Sequence, residues 1–244
     1  MKRLFISLAF AAMAIFAMSA FTVSANGDCE FTLFGSAQEA TDPENSSNEV
    51  VLIDGDAGSG GVSKDLPAGT KATDIDNQVN LKYYHVAPKT CTLGSPRIQL
   101  AIDTDGDGDF DGNAFGYVGH APFGGGCLTG VWDFNDMTDA VGRWDLSQVG
   151  GGMTLNWDAM EAYLAATYPN YQILSGSLVE DGYPGDSYYD LITIGDCTFD
   201  GDDDVAVGPP TSGEQCKNGG WATFNSPRTF KNQGDCMQFV NSGK

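Results

Sequence analysis

The chain has 244 residues with 12 Lys and Arg against 33 Asp and Glu, a formal net charge of −21. So negative a surface repels nucleic acid and anionic membranes at long range, which makes both poor partners. Six Cys, 32 Gly and only two His describe a loop-rich chain with little imidazole for catalysis.

Residues 1–25 read as an export leader, with Lys2 and Arg3, an apolar run from Leu4 to Met18, then Val23, Ser24 and Ala25 as the small-residue cleavage site. Cleavage after Ala20, behind Met18 and Ser19, is the alternative. No second apolar run has the length to cross a bilayer, and no Cys follows the leader's small residues to accept a lipid. The expectation is therefore a secreted, extracellular monomer whose mature part carries 10 basic and 33 acidic residues and does not insert into a membrane. Cys29, Cys91, Cys127, Cys197, Cys216 and Cys236 all lie beyond the leader, so three disulfides are expected in an oxidising compartment. Sequence proximity favours Cys91 with Cys127 and Cys216 with Cys236, leaving Cys29 for Cys197. No C-x-x-C spacing points to zinc or to redox catalysis.

Beyond the leader, short apolar, β-branched and aromatic runs alternate with Gly, Asp, Ser and Pro turns, the pattern of a mostly β sandwich. Strands are expected at Glu30-Leu33, Glu49-Ile53, Gln78-Val86, Arg97-Asp103, Ala114-Val118, Tyr171-Val179 and Tyr188-Ile194. In the third of these, Val79, Leu81 and Tyr83 share one face while Asn80, Lys82 and Tyr84 share the other. The Gly-rich stretches Asp54-Gly61, Gly124-Gly126 and Gly150-Gly152 read as loops. One short helix is expected from Trp157 to Tyr168, with Asn156 as N-cap, Asp158 and Glu161 near its positive end, and Pro169 after it. Trp157, Met160, Leu164 and Tyr168 fall on one helical face. The main domain spans 26–207 and a Gly-Pro linker spans 208–213. The charge balance reverses in 214–244, where Lys217, Arg228, Lys231 and Lys244 face Glu214 and Asp235.

The acidic run Asp103-Thr104-Asp105-Gly106-Asp107-Gly108-Asp109-Phe110-Asp111-Gly112 carries the strongest chemical signal. Carboxylates at alternate positions with Gly at the sixth can turn toward one hard cation, which takes six to eight oxygens. In the EF-hand scheme Asp103, Asp105 and Asp107 take positions 1, 3 and 5, Asp109 offers its carbonyl at 7, and Asp111 falls at 9. Position 12, usually a bidentate Glu, is Ala114. The run thus resembles the Asp-rich calcium loops of dockerin and thrombospondin type 3 repeats, which implies that remote carboxylates complete the shell. An ion-free acidic turn is costly, because two carboxylates about 5 Å apart at an effective dielectric of ~20 repel by about 3 kcal/mol. Calcium is the expected cofactor. Asp54-Gly55-Asp56 and the cluster Asp196, Asp200, Asp202, Asp203 and Asp204 read as solvated loops that could lend a ligand.

Two further resemblances bear on fold and address. Cys216-Lys-Asn-Gly-Gly-Trp221, then Phe224, Pro227, and Phe230-Lys-Asn-Gln-Gly-Asp-Cys236 with Phe239 and Val240, resembles a short C-terminal module of exported bacterial proteins of unassigned activity. It implies a disulfide-closed cap over 214–244 and no mechanism. The pair Tyr171–Asp181 and Tyr188–Gly195 resembles the closing strands of galactose-binding-like jelly rolls, common in carbohydrate-binding modules. That resemblance implies a jelly-roll-like sandwich and makes Asp190 a second calcium candidate. It also points to an extracellular glycan or cell-surface ligand; if sugars bind, Trp132, Trp144, Tyr117 and Tyr183 are the candidate platforms, with a core role the favoured alternative for either Trp. His85 and His120 come with no G-x-S-x-G elbow, and no phosphate-cradling loop is present. The first expectation is thus a non-catalytic binding module. The other is a polysaccharide hydrolase built on a carboxylate pair.

Overall fold

The computed structural model describes residues 21–25 (backbone only), 29–89, 91, 94–121, 125–182, 184–200, 210, 212, 213, 215–217, 221 and 230–242. Among them are thirteen strands: β1 Phe21–Ala25, β2 Cys29–Gly35, β3 Ala37–Thr41, β4 Glu49–Asp54, β5 Gly60–Asp65, β6 Val79–His85, β7 Arg97–Asp103, β8 Gly112–Tyr117, β9 Asp133–Asp136, β10 Trp144–Asp145, β11 Gln172–Glu180, β12 Asp186–Ile194 and β13 Cys197–Phe199. Two helices accompany them, α1 Trp157–Thr167 and α2 Gln233–Ser242. The strands form two antiparallel sheets packed as a sandwich. One runs β1-β2-β5-β11-β7-β8-β10 and the other β3-β4-β12-β6-β9, with β13 joined to β12. Alternation decides which side chains enter the core. Val79, Leu81, Tyr83 and His85 of β6 are buried, and so are Ile98, Leu100 and Ile102 of β7, while Asn80, Lys82 and Tyr84 and, in β7, Gln99 and Ala101 are only half-buried. Each fully buried aliphatic side chain of this layer is worth about 1.5–3 kcal/mol.

All seven expected strands are present, the one at Arg97–Asp103 with both ends as expected and the others with ends shifted by at most two residues. Six more escape the reading of the sequence. β5 begins inside the Gly-rich stretch Asp54-Gly61, because Gly61 lets the chain approach β11 so closely that a Cβ there would lie 2.1 Å from the Leu178 carbonyl oxygen. β3 and β9 are largely polar, and β10 and β13, at two and three residues, are too short to show an alternating apolar signal. β1 lies inside the expected leader and pairs with β2 from Phe21↔Leu33 to Ala25↔Cys29. Residues 1–20 lie outside the described part.

Helix α1 follows its sequence signals. The Asn156 side chain accepts from the Ala159 N–H at 3.0 Å, and Trp157, Met160 and Leu164 are fully buried. The helix stops at Thr167, one residue short of expectation, because the residue before a proline avoids the α region and Tyr168 turns to ψ 77°. The second helix, α2, corrects the expectation of a single one. Asn232 caps it by accepting from the Asp235 N–H, and Cys236, Phe239 and Val240 give it an apolar side, a signal that Gly234 in its first turn obscures. Cysteines pair as Cys29–Cys197, Cys91–Cys127 and Cys216–Cys236, and none is free. The first bridge staples β2 of one sheet to β13 of the other. The third lies in a separate small cluster with Phe230, Trp221, Met237, Phe239 and Val240. Among the described residues, no helix is long and apolar enough to cross a membrane.

Candidate metal centre

The acidic run is the connection between β7 and β8. Asp103 ends β7, and the ladder resumes where the Asp111 N–H donates to the Ile102 carbonyl at 2.9 Å. Between these points the loop is built by carboxylates bonding backbone N–H groups ahead of them, the tendency that makes Asp a turn residue. Oδ1 of Asp103 accepts from the N–H of Asp105 and Gly106 at 3.1 and 2.7 Å, and Oδ2 accepts from Gly108 at 2.7 Å. Asp105 accepts from the Asp107 N–H, and Asp107 from the Asp109 N–H. Asp111 reaches back to accept from both the N–H and the hydroxyl of Thr104. Gly106 has φ +85°, and a Cβ there would lie 2.8 Å from the Asn170 carbonyl, so the turn requires glycine.

The outcome is convergence of Asp103, Asp105 and Asp111, whose ligand oxygens lie within 4.8 Å of one another. Two oxygens on one calcium stand no more than about 5 Å apart, twice the Ca–O length, so the three carboxylates fit a single hard cation. Electrostatics inside the loop are uneven. Hydrogen bonding from the Gln172 side chain, and from the N–H groups of Gly106, Gly108 and Asp105, holds the Asp103 carboxyl down at about 2. The Thr104 hydroxyl and N–H lower Asp111. Asp105 moves the other way. The Asp107 N–H pulls it down, but the charges of Asp107, Asp103 and Asp111 together with partial desolvation outweigh that bond and raise it. A cation beside Asp105 would relieve this crowding.

Gln172, at the start of β11, carries no sequence signal for the site. Its Nε2 donates to Asp103 Oδ2 at 2.8 Å while its Oε1 accepts from the Gly69 N–H. Asp103 thereby accepts from four donors, which fills its lone pairs. A cation can share Asp103 only when one donor gives way, and Gln172 supplies the one that can rotate.

The other expected site residues are dispersed. Asp107 and Asp109 are exposed on the loop and stand outside the converging trio. Asp190 lies on β12 of the opposite sheet, at an irregularity where Leu191 has φ +47°. It is joined through the Asn48 amide to Asp42 rather than to the loop. Trp144 is fully buried, edge-on to Trp157 at 5.2 Å, with its N–H on the Met137 carbonyl. It is a core residue, and no ligand can stack on it. Tyr117 is half-buried and donates to Asp145, and burial followed by the Asp145 charge pushes its hydroxyl up to about 12. Trp132 is half-buried beside the outward rings of Tyr84 and, through Tyr84, of Tyr188, with its N–H on Asp42 at 3.0 Å and the Lys82 ammonium 5.0 Å from its ring centre. Tyr183, Asp202, Asp203 and Asp204 lie outside the described residues. Asp54 closes its own turn by accepting from the Asp56 and Ala57 N–H groups.

Asp42, which holds the Trp132 indole, is linked through Asn48 to Asp190, and the acidities of the two carboxyls diverge. Partial burial raises Asp42, but the N–H of Glu44, the Trp132 indole, Asn48 and Asn45 outweigh it, and the net shift is downward. Burial, then the Asp200 charge, pushes Asp190 up to about 6. Both residues are nonetheless buried, at 7% and 4% exposure, so neither presents a carboxyl to a substrate in this structure. No protein-family model matches the chain, and neither a curated protein nor a solved structure is significantly similar to it.

Proposed function

We propose that the protein is an exported, calcium-stabilised β-sandwich acting as a non-catalytic extracellular binding module, with a carbohydrate-type ligand. The observation that carries this reading is the convergence of Asp103, Asp105 and Asp111 on a hairpin loop shaped by its own N–H bonds. Three disulfides agree with an oxidising, extracellular address. The hydrolase reading draws support from the divergent acidities of Asp42 and Asp190, since acid and base roles need such divergence. It is weaker, because a general acid must come within hydrogen-bond reach of the bond it cleaves, and these two carboxyls are buried and bonded to Asn48.

For a sugar, Trp132 is the platform best supported, since its ring is partly exposed next to Tyr84 and its neighbourhood offers Lys82 and Asp42 as polar partners. A glycan-array screen run in calcium and in chelator tests both halves of the proposal. Binding that weakens in chelator and on Trp132→Ala is the expected result. Release of shortened glycans from the array would instead favour the hydrolase, and absence of any retained glycan would remove the carbohydrate part.

A further inference from the structure

His85 ends β6 with its ring fully buried, 4.7 Å from the ring of Tyr83 and 6.3 Å from that of Tyr189. Neither ring nitrogen has a hydrogen-bond partner. A buried polar group left unpaired is costly, and its persistence in a folded chain calls for an explanation. The Cys91–Cys127 disulfide stands beside it, and a ring nitrogen of His85 and the two sulfurs all lie within 4.8 Å of one another. Cys127 is only partly buried, which leaves its sulfur open to attack by a small reductant.

We propose that reduction of Cys91–Cys127 converts this corner of the sandwich into a Cys2His site for a thiophilic cation, Zn2+ foremost, with a water as fourth ligand. Tetrahedral zinc with Zn–S of about 2.3 Å and Zn–N of about 2.0 Å holds its sulfurs about 3.8 Å apart and each sulfur about 3.5 Å from the nitrogen. The present cluster, within 4.8 Å, needs shifts of only about 1 Å to reach that geometry once the S–S bond is gone. With the Cα atoms of Cys91 and Cys127 5.4 Å apart, side-chain rotation separates the sulfurs.

A dithiol reductant gives two electrons and two protons and becomes a disulfide, while the Cys91–Cys127 bond breaks to two thiols. Zn2+ then displaces both thiol protons to solvent and takes the lone pair of the neutral imidazole. While the sulfurs are tied in a disulfide neither can act as a thiolate ligand, so the corner switches between a covalent staple and a metal staple. This site lies apart from the Asp103 loop and stands or falls independently of the calcium reading.

Co2+ is the probe, because thiolate-bound tetrahedral Co2+ has intense visible bands and a sulfur-to-metal charge-transfer band. The full chain is titrated before and after treatment with a phosphine reductant, followed by far-ultraviolet circular dichroism. The expected result is one Co2+ per reduced chain, displaced by Zn2+, with the strand signature retained and no bands in the oxidised chain. Cys91→Ser with Cys127→Ser should abolish the bands, whereas Cys29→Ser with Cys197→Ser, or Cys216→Ser with Cys236→Ser, should keep them. His85→Gln should weaken binding by about 100-fold or more, since even outer-sphere changes cost 10–100-fold. Three results overturn the proposal: no thiolate-to-Co2+ band on reduction, bands that survive loss of Cys91 and Cys127, or loss of the strand signature on reduction, because the site needs the sandwich to hold His85.

Discussion

Replacing His85 by Gln should reverse the direction in which the melting temperature moves with pH relative to an Asp190→Asn variant. Burial first, with the Lys89 charge beside it, pushes His85 from its ordinary 6.5 down to about 4. The folded chain therefore keeps this ring neutral while the unfolded chain protonates it, and its contribution to stability is complete above pH 6.5 and lost as pH falls to about 4. Asp190 acts oppositely. Its carboxyl stays protonated in the fold up to about 6 but ionises at 3.8 when unfolded, so its contribution is complete below 3.8 and lost as pH rises through 6. At about 1.4 kcal/mol per pH unit, each group is worth about 3 kcal/mol over its window. In the parent chain the two nearly cancel between pH 4 and 6. In His85→Gln only Asp190 remains and the melting temperature should rise on acidification, while in Asp190→Asn it should fall. A change of about 3 kcal/mol corresponds to about 6–12 °C for a domain of this size. Differential scanning calorimetry in chelator, from pH 4 to 7, reads both slopes. Parallel profiles for the parent and both variants would refute the reasoning.

Trp144→Ala should cost about 3–5 kcal/mol through the cavity it opens against Trp157, whereas Trp132→Ala should cost about 1 kcal/mol for its bond to Asp42 and act instead on ligand binding; chemical denaturation separates the two. Gln172→Glu replaces the donor to Asp103 with a carboxylate aimed at the same oxygen. It should destabilise the chain in chelator and tighten calcium binding by about tenfold through one added ionic ligand, which competition against a fluorescent chelator measures. On the proposed export, intact mass should give Phe21 as the first residue, because cleavage after Ala25 would remove β1 and leave the edge of β2 unpaired; a start at Asn26 would contradict this.

Much of the architecture is legible where local chemistry and tertiary packing agree. The alternation in β6 and β7 and the cap, spacing and proline around α1 give those elements directly. The disulfide pairs follow from proximity because both short loops close within compact units. What stays hidden depends on contacts distant in sequence. β5 starts at glycines chosen for close approach to β11, a requirement visible only once β11 is beside them. Trp144 reads as either a platform or a core residue, and the packing of Trp157 against it, which nothing local announces, decides for the core. In the candidate site, Asp103, Asp105 and Asp111 are announced by their spacing, but Gln172 reaches Asp103 from 69 residues away. Asp190 is drawn to Asn48 and Asp42 by the irregularity in β12, which no pattern of residue types announces.

The central claim, that Asp103, Asp105 and Asp111 share one calcium, is tested most directly by calorimetric titration of calcium into the chelator-treated chain. The account predicts one site with a Kd on the order of 10⁻⁴ M, typical of extracellular modules, so that millimolar calcium adds about 1.4 kcal/mol of stability. Asp105→Ala should abolish that binding. Absence of any binding heat in the parent chain, with equal melting in calcium and in chelator, would contradict it.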